Sequence, residues 1–160
     1  SFERSDVANE EGFSAPQACR LVGISYRQID YWARTGLLRP SLAEARGSGR
    51  RRRYSYRDLV QLKVIRRLLD AGIGLVKIRR VVAFLDGQLG EDLASASLVL
   101  NGGESLLVHH EGELVDALRH GQGVLSVVAL GALSAELDGA ITNLRRPAAA
   151  TGAVGDRVTA

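Results

Sequence analysis

Ten consecutive residues combine bonding groups with helical spacing: Ser25, Tyr26, Arg27, Gln28, Ile29, Asp30, Tyr31, Trp32, Ala33 and Arg34. Ile29, Trp32 and Ala33 fall at i, i+3, i+4 and make one apolar stripe. Tyr26, Arg27, Asp30 and Arg34 then point elsewhere, so the solvent side carries two guanidiniums and a phenol. A helix with those groups beside a basic stretch is a candidate for a DNA groove. The plain alternative is an ordinary amphipathic surface helix. The basic stretch is Arg50, Arg51, Arg52 and Arg53, followed by Tyr54. Four adjacent like charges cannot form a core, and phosphates would offset their repulsion.

Other chemistry has little support. His109 and His110 are adjacent, and neighbours on an extended strand face opposite sides. They cannot readily share a metal there, and with Glu111, Glu113 and Asp116 they read as polar rim residues. His120 is the remaining histidine. Ser126 and Ser134 have no paired base, and Gly102 and Gly103 read as a turn rather than a phosphate loop. Cys19, the single cysteine, excludes an intrachain disulfide and a cysteine-rich zinc site. It reads as a small core residue. Neither an enzyme nor a cofactor is expected.

The elements that must hold these residues can be read in order. Residues 1–11 are polar and read as a disordered tail. Ser14 with Gln17, and Ser25 with Gln28, form capping boxes that start two short helices. Gly23 ends the first, with Ala15, Ala18, Cys19 and Val22 inward. Gly36 suits the left-handed position past the second. Two short helices joined by a tight glycine turn make a helix-turn-helix pattern. Leu37 to Pro40 reads as a short extended piece. Two extended arms around Gly47, Ser48 and Gly49 then predict a two-stranded ribbon carrying the arginines. Ser55 caps a third helix with Asp58 at its third position, and Leu59, Leu62, Ile65 and Leu69 recur at helical spacing. A fourth runs from Leu75 to Leu85, with Ile78, Val81, Val82 and Leu85 inward.

Residues 87–92 read as a linker. Beyond it, residues 97–100 and 106–109 around a glycine turn predict a β-hairpin. A short helix over 113–118, a buried strand over 124–130 and a helix over 131–144 follow. This ββαβα segment within residues 93–146 is a small core, and pairing with a second copy would support it. Residues 147–160 read as a disordered tail. The fold class is therefore mostly α in the N-terminal part, with a winged helix-turn-helix over 12–86, and a small α+β C-terminal domain.

Charge divides along the same line. Residues 20–80 hold sixteen Lys and Arg against four acids, whereas residues 81–144 hold one arginine against nine acids. The basic half suits a polyanion; the acidic half suits protein contacts or a ligand. No apolar run reaches membrane-spanning length and no signal peptide opens the chain. A cytoplasmic, nucleoid-associated protein with no membrane partner is expected.

Residues 13–85 resemble the DNA-binding domain of MerR-type transcription regulators. The resemblance is carried by Phe13-Ser14, Gly23-Ile-Ser-Tyr-Arg-Gln-Ile-Asp-Tyr-Trp32, Thr35-Gly-Leu-Leu38, Arg52-Arg-Tyr-Ser55, Asp58-Leu59 and Ile65-Arg-Arg-Leu-Leu-Asp-Ala-Gly-Ile73. It covers nearly half the chain, in the family's order. By resemblance, the recognition-helix arginine is Arg27, the backbone-contacting aromatic Tyr31, and the wing arginine Arg52 or Arg53. Asp30 stands where members usually carry a second arginine. An acid there would weaken DNA binding unless it pairs with Arg27 or Arg34, or accepts from a cytosine amine. Many members dimerise through a long coiled coil, which Gly87 and Gly90 would interrupt here. The chain looks like the actinobacterial group with a small C-terminal α/β domain, and Gly121-Gln-Gly-Val124 fits that group.

The resemblance implies a dimeric, sequence-specific regulator that binds double-stranded promoter DNA and distorts it for RNA polymerase, with an effector possible. Arg27, Tyr26 and Gln28 would read base edges. Ser25, Tyr31, Arg34, Arg50, Arg51, Arg52, Arg53 and Tyr54 complete the expected DNA-binding set. An architectural or excisionase-like DNA-binding protein is one alternative. A ligand sensor or protein adaptor acting through the C-terminal domain is another.

Overall fold

Three helices begin with the same local chemistry. Ser14, Ser25 and Ser55 each accept a hydrogen bond from the backbone N–H three residues on. Gln17, Gln28 and Asp58 accept in return from the backbone N–H of those serines. These reciprocal bonds satisfy N–H groups that a helix start leaves orphaned. They open α1 (Ala15–Val22), α2 (Tyr26–Arg34) and α3 (Tyr56–Asp70) where the sequence places them. A fourth helix, α4 (Leu75–Asp86), starts at Gly74 with no side-chain cap. The computed structural model describes residues 12–43, 51–88, 95–101, 104–110, 112–114 and 124–146. The expected tails, the wing tip at 47–49, linker residues 89–92 and the expected helix beyond Leu114 lie outside the described residues.

The turn between α1 and α2 requires glycine. Gly23 has φ +83°, a conformation that costs other residues roughly 1–2 kcal/mol. The space a Cβ would fill is taken by the Arg66 guanidinium, which donates to the Val22 carbonyl at 2.9 Å. Arg66 thus satisfies a carbonyl at the end of α1 from across the fold.

The helix α3 lies at the centre of the packing. It contacts α1, α4 and the last helix, α5 (Leu130–Leu144). Its buried residues are therefore not one stripe: Leu59, Val60, Leu62, Val64, Ile65 and Leu68 are all buried. Leu69, expected inward, is only partly buried. Residues 37 and 38 also differ from the expected extended piece. They form a bend in which Leu37 and Leu38 are buried and the Leu38 N–H donates to the Trp32 carbonyl at 3.2 Å.

The C-terminal part holds three strands: β1 (Ser97–Asn101), β2 (Glu104–Val108) and β3 (Val124–Ala129). They form an antiparallel sheet in the order β2-β1-β3. Leu98 sits opposite Leu107 and Val128. With Leu100, they join Leu130, Leu133, Leu137 and Ile141 of α5 in the core. The chain thus combines a mostly helical N-terminal part with a small α+β C-terminal part.

One apolar cluster runs from Phe13 to Ile141. Its junction is the face of α5 on α1 and α3. Tyr56 donates its hydroxyl to Asp138 at 2.8 Å, and Lys63 pairs with Glu136. The small C-terminal core is therefore extended by N-terminal helices of the same chain.

Candidate nucleic-acid interface

The helix α2 divides by role. Ile29 and Trp32 are buried, and Ala33 is half-buried. On the outer side Tyr26 is 58% exposed and Tyr31 48% exposed, with Arg27 and Arg34 also exposed. Two phenols left in solvent beside two guanidiniums offer ring faces and donor forks to a ligand. Ser25 and Gln28 have another task. Ser25 Oγ accepts from the Gln28 N–H at 3.1 Å, and Gln28 Oε1 accepts from the Ser25 N–H at 3.0 Å. Both acceptors belong to the cap, which leaves the Gln28 amide N–H groups outside that pair.

Asp30 joins two elements. Its Oδ2 accepts from Arg34 Nε at 2.9 Å, one turn along α2. Its Oδ1 accepts from Arg52 Nη1 at 2.8 Å, from the arginine stretch that follows in the wing. The Arg52 and Arg34 hydrogen bonds hold the Asp30 carboxyl below the usual carboxylate range. The Arg52 side chain is only 15% exposed, against 64% for Arg34. Sequence reasoning allowed Arg34 as a partner for Asp30 and missed Arg52. Nothing local could have pointed to it, since twenty-two positions separate the pair.

The wing base is held by backbone bonds. Arg53 exchanges hydrogen bonds with Ala43, and Tyr54 exchanges them with Phe13 at 2.8 Å. Arg51 is exposed and Arg53 half-buried, while Arg50 lies outside the described residues. Tyr54 requires a correction. It is 0% exposed, its backbone N–H and C=O are both paired with Phe13, and its buried hydroxyl has no hydrogen-bond partner among the described residues. Burial pushes its phenol up to about 12. In this conformation Tyr54 is a core residue and presents nothing to DNA. Its apolar neighbours, rather than the arginines before it, decide its role.

One further cation reaches this surface. Arg79 of α4 donates to the Thr35 carbonyl at 3.4 Å, just past the end of α2. Away from it, a cleft of about 220 Å³ lies between α1, α3 and α5, lined by Val22, Lys63, Arg66, Arg67, Asp70, Leu133 and Glu136. Its cations are engaged internally: Lys63 and Arg67 face Glu136, and Arg66 faces Asp70. Cys19 is half-buried, and burial pushes its thiol up, which makes it a poor nucleophile. Among the described residues no three His, Cys, Asp or Glu side chains are grouped to hold a metal ion. Nor, among them, is any helix long and apolar enough to cross a membrane.

A helix-turn-helix, a paired wing base and two further helices stand in the order that Phe13 to Leu85 describes. Those same residues, 13–85, match the model of the MerR HTH family regulatory proteins. Residues 13–85 form a MerR-family helix-turn-helix domain. The chain is also similar to proteins named uncharacterized HTH-type transcriptional regulators from Mycobacterium bovis and from two strains of Mycobacterium tuberculosis. Each is 44% identical over 132 residues, which is 82% of this chain and 58% of the relative. The chain thus spans somewhat over half the length of these curated relatives. The matched region extends beyond the MerR-type domain, into the segment that carries the sheet or its flanks. Within the MerR-type domain, α2 is the second helix of the helix-turn-helix, and Arg51 to Arg53 lead from the wing into α3.

Proposed function

We propose that this protein is a transcription regulator that binds double-stranded promoter DNA sequence-specifically, as a dimer, in the cytoplasm at the nucleoid. The observation that carries the reading is the exposed side of α2. Tyr26, Arg27 and Tyr31 stand in solvent on a doubly capped helix of a MerR-type domain, and Arg51 is exposed in the stretch that leads from the wing into α3. An α-helix fits the major groove, where an arginine fork can bond guanine N7 and O6 together. Arg27, with Tyr26 and the Gln28 amide, reads base edges. Tyr31, Arg34, Arg50, Arg51, Arg53 and Arg79 hold backbone phosphates, which set register without reading sequence. The names of the mycobacterial relatives favour the same class. Engagement of RNA polymerase at the bound promoter and response to an effector belong to this proposal.

The test is selection of bound duplexes from a random pool, followed by footprinting. A discrete motif with two-fold symmetry is expected, since a two-fold dimer reads two half-sites. A footprint that spreads with protein concentration would point instead to an architectural protein. No enrichment of any duplex would sink the DNA-binding reading.

A further inference from the structure

Asp30 places an acid in the middle of a surface otherwise suited to phosphates, and does so in a fully engaged geometry. Each carboxylate oxygen takes one guanidinium, Arg34 from its own helix and Arg52 from across the fold. The Arg52 contact is the more telling. Arg52 lies in a run of four arginines, yet its side chain is turned onto α2 and left only 15% exposed. An arginine poised for phosphate stands out into solvent, as Arg34 does at 64%. Asp30 therefore acts on two things at once. It fastens the end of the wing to α2, and it offsets positive charge on that face.

We propose that Asp30 is a specificity-determining positioning residue. By latching Arg52 to α2 and neutralising its charge, it withholds that cation from non-specific phosphate binding and leaves discrimination to the base-reading side chains. This rests on the DNA-binding function proposed above. Sequence-independent affinity comes almost wholly from phosphate neutralisation, and each neutralised phosphate adds about 0.9 to the slope of log affinity against log salt. An acid held at the interface lowers that term for every sequence alike, so the charge effect sets the salt slope while the ratio of affinities is set by the clamp. A wing clamped in one orientation also removes alternative dockings that would suit the wrong sequences. Arg52 is accordingly a strut between two reading elements, while Arg50, Arg51 and Arg53 remain the phosphate-binding members of the run.

The experiment compares the full chain with Asp30→Asn and Asp30→Ala. Binding is measured across a salt series to a random-sequence duplex and to the best duplex that the unmodified protein selects from a random pool. Both variants should bind the random duplex more tightly, with a salt slope steeper by about 0.9. The ratio of selected to random affinity should fall severalfold. In a double-mutant cycle with Arg52→Ala, the effects of the two positions on that ratio should be non-additive. Weaker binding to the random duplex with a shallower slope would show that Asp30 aims its arginines at phosphates, and would overturn the proposal. Unchanged slope and ratio, in variants whose circular dichroism shows them folded, would overturn it equally. Should the unmodified protein bind no duplex at all, the DNA-binding function itself fails, a result distinct from either of these.

Discussion

At the scale of single residues, similar side chains have opposite fates within a few positions. Tyr26 and Tyr31 stand in solvent, whereas Tyr54 is sealed in the core. Arg27 is exposed, whereas Arg52 is bound to Asp30. Two expectations follow from this division. Arg27→Ala should cost about 1–3 kcal/mol on the selected duplex and relax one base position. Equal losses on selected and random duplexes would make Arg27 a phosphate contact only. Tyr54→Phe should leave DNA affinity unchanged and should not lower stability. The buried Tyr54 hydroxyl has no partner among the described residues, and an unsatisfied buried polar group costs about 1–3 kcal/mol. A urea melt together with a binding isotherm checks both halves of that statement. A loss of affinity at full stability would return Tyr54 to the interface.

At the scale of elements, the wing and α5 are the parts whose roles depend on what they pack against. Within the wing, neighbouring arginines should behave differently. Arg51→Ala should flatten the salt slope on random DNA by about 0.9, the value for one phosphate. Arg52→Ala should leave that slope nearly unchanged, because Arg52 is engaged by Asp30. Equal flattening by both would mean that Arg52 leaves Asp30 when DNA arrives. The helix α5 ties the sheet to the helix-turn-helix. Leu133 is 1% exposed and lines the same cleft as Val22. Leu133→Ala should cost about 2–5 kcal/mol, the usual range for emptying a buried leucine site. Trp32, the single tryptophan, lies in α2 and reports on the N-terminal part. Its fluorescence should follow the same shifted urea transition as the overall circular dichroism. An unshifted Trp32 transition would show that the two parts unfold independently.

At the scale of the whole molecule, the charge split that separates the two halves of the sequence becomes a contact between them. Glu136 of the acidic half meets Lys63 and Arg67 of the basic half. The Lys63 hydrogen bond, with its charge, holds the Glu136 carboxyl below its ordinary range. A carboxyl held low in the folded state adds stability above its unfolded value, and that stability is lost as pH falls through its folded value. Scanning calorimetry should therefore show the melting temperature falling from roughly pH 5 to pH 3. Glu136→Gln should fall less over that window. An identical fall in both would place the acid sensitivity elsewhere, Asp30 being next in line because its carboxyl is also held low.

Local rules made much of the fold legible in the chain itself. Three capping boxes, the turn at Gly23 and the two apolar runs of the hairpin depend on residues within a few positions of one another, so helix starts and the pairing of β1 with β2 could be read directly. The inward stripe of α2 and the exposed Tyr26, Arg27 and Tyr31 were legible for the same reason. What the tertiary structure alone decided are pairings between distant positions. Leu69 lost its expected place and Val60 and Val64 gained theirs, because α3 is packed by three helices and a single periodic stripe describes only one neighbour. Tyr54 went inward because its backbone pairs with Phe13, forty-one positions earlier. Asp30 drew Arg52 onto α2 across twenty-two positions. Hydrogen-bonding chemistry is written in residue types, but which donor meets which acceptor depends on chain closure, and no local pattern encodes that.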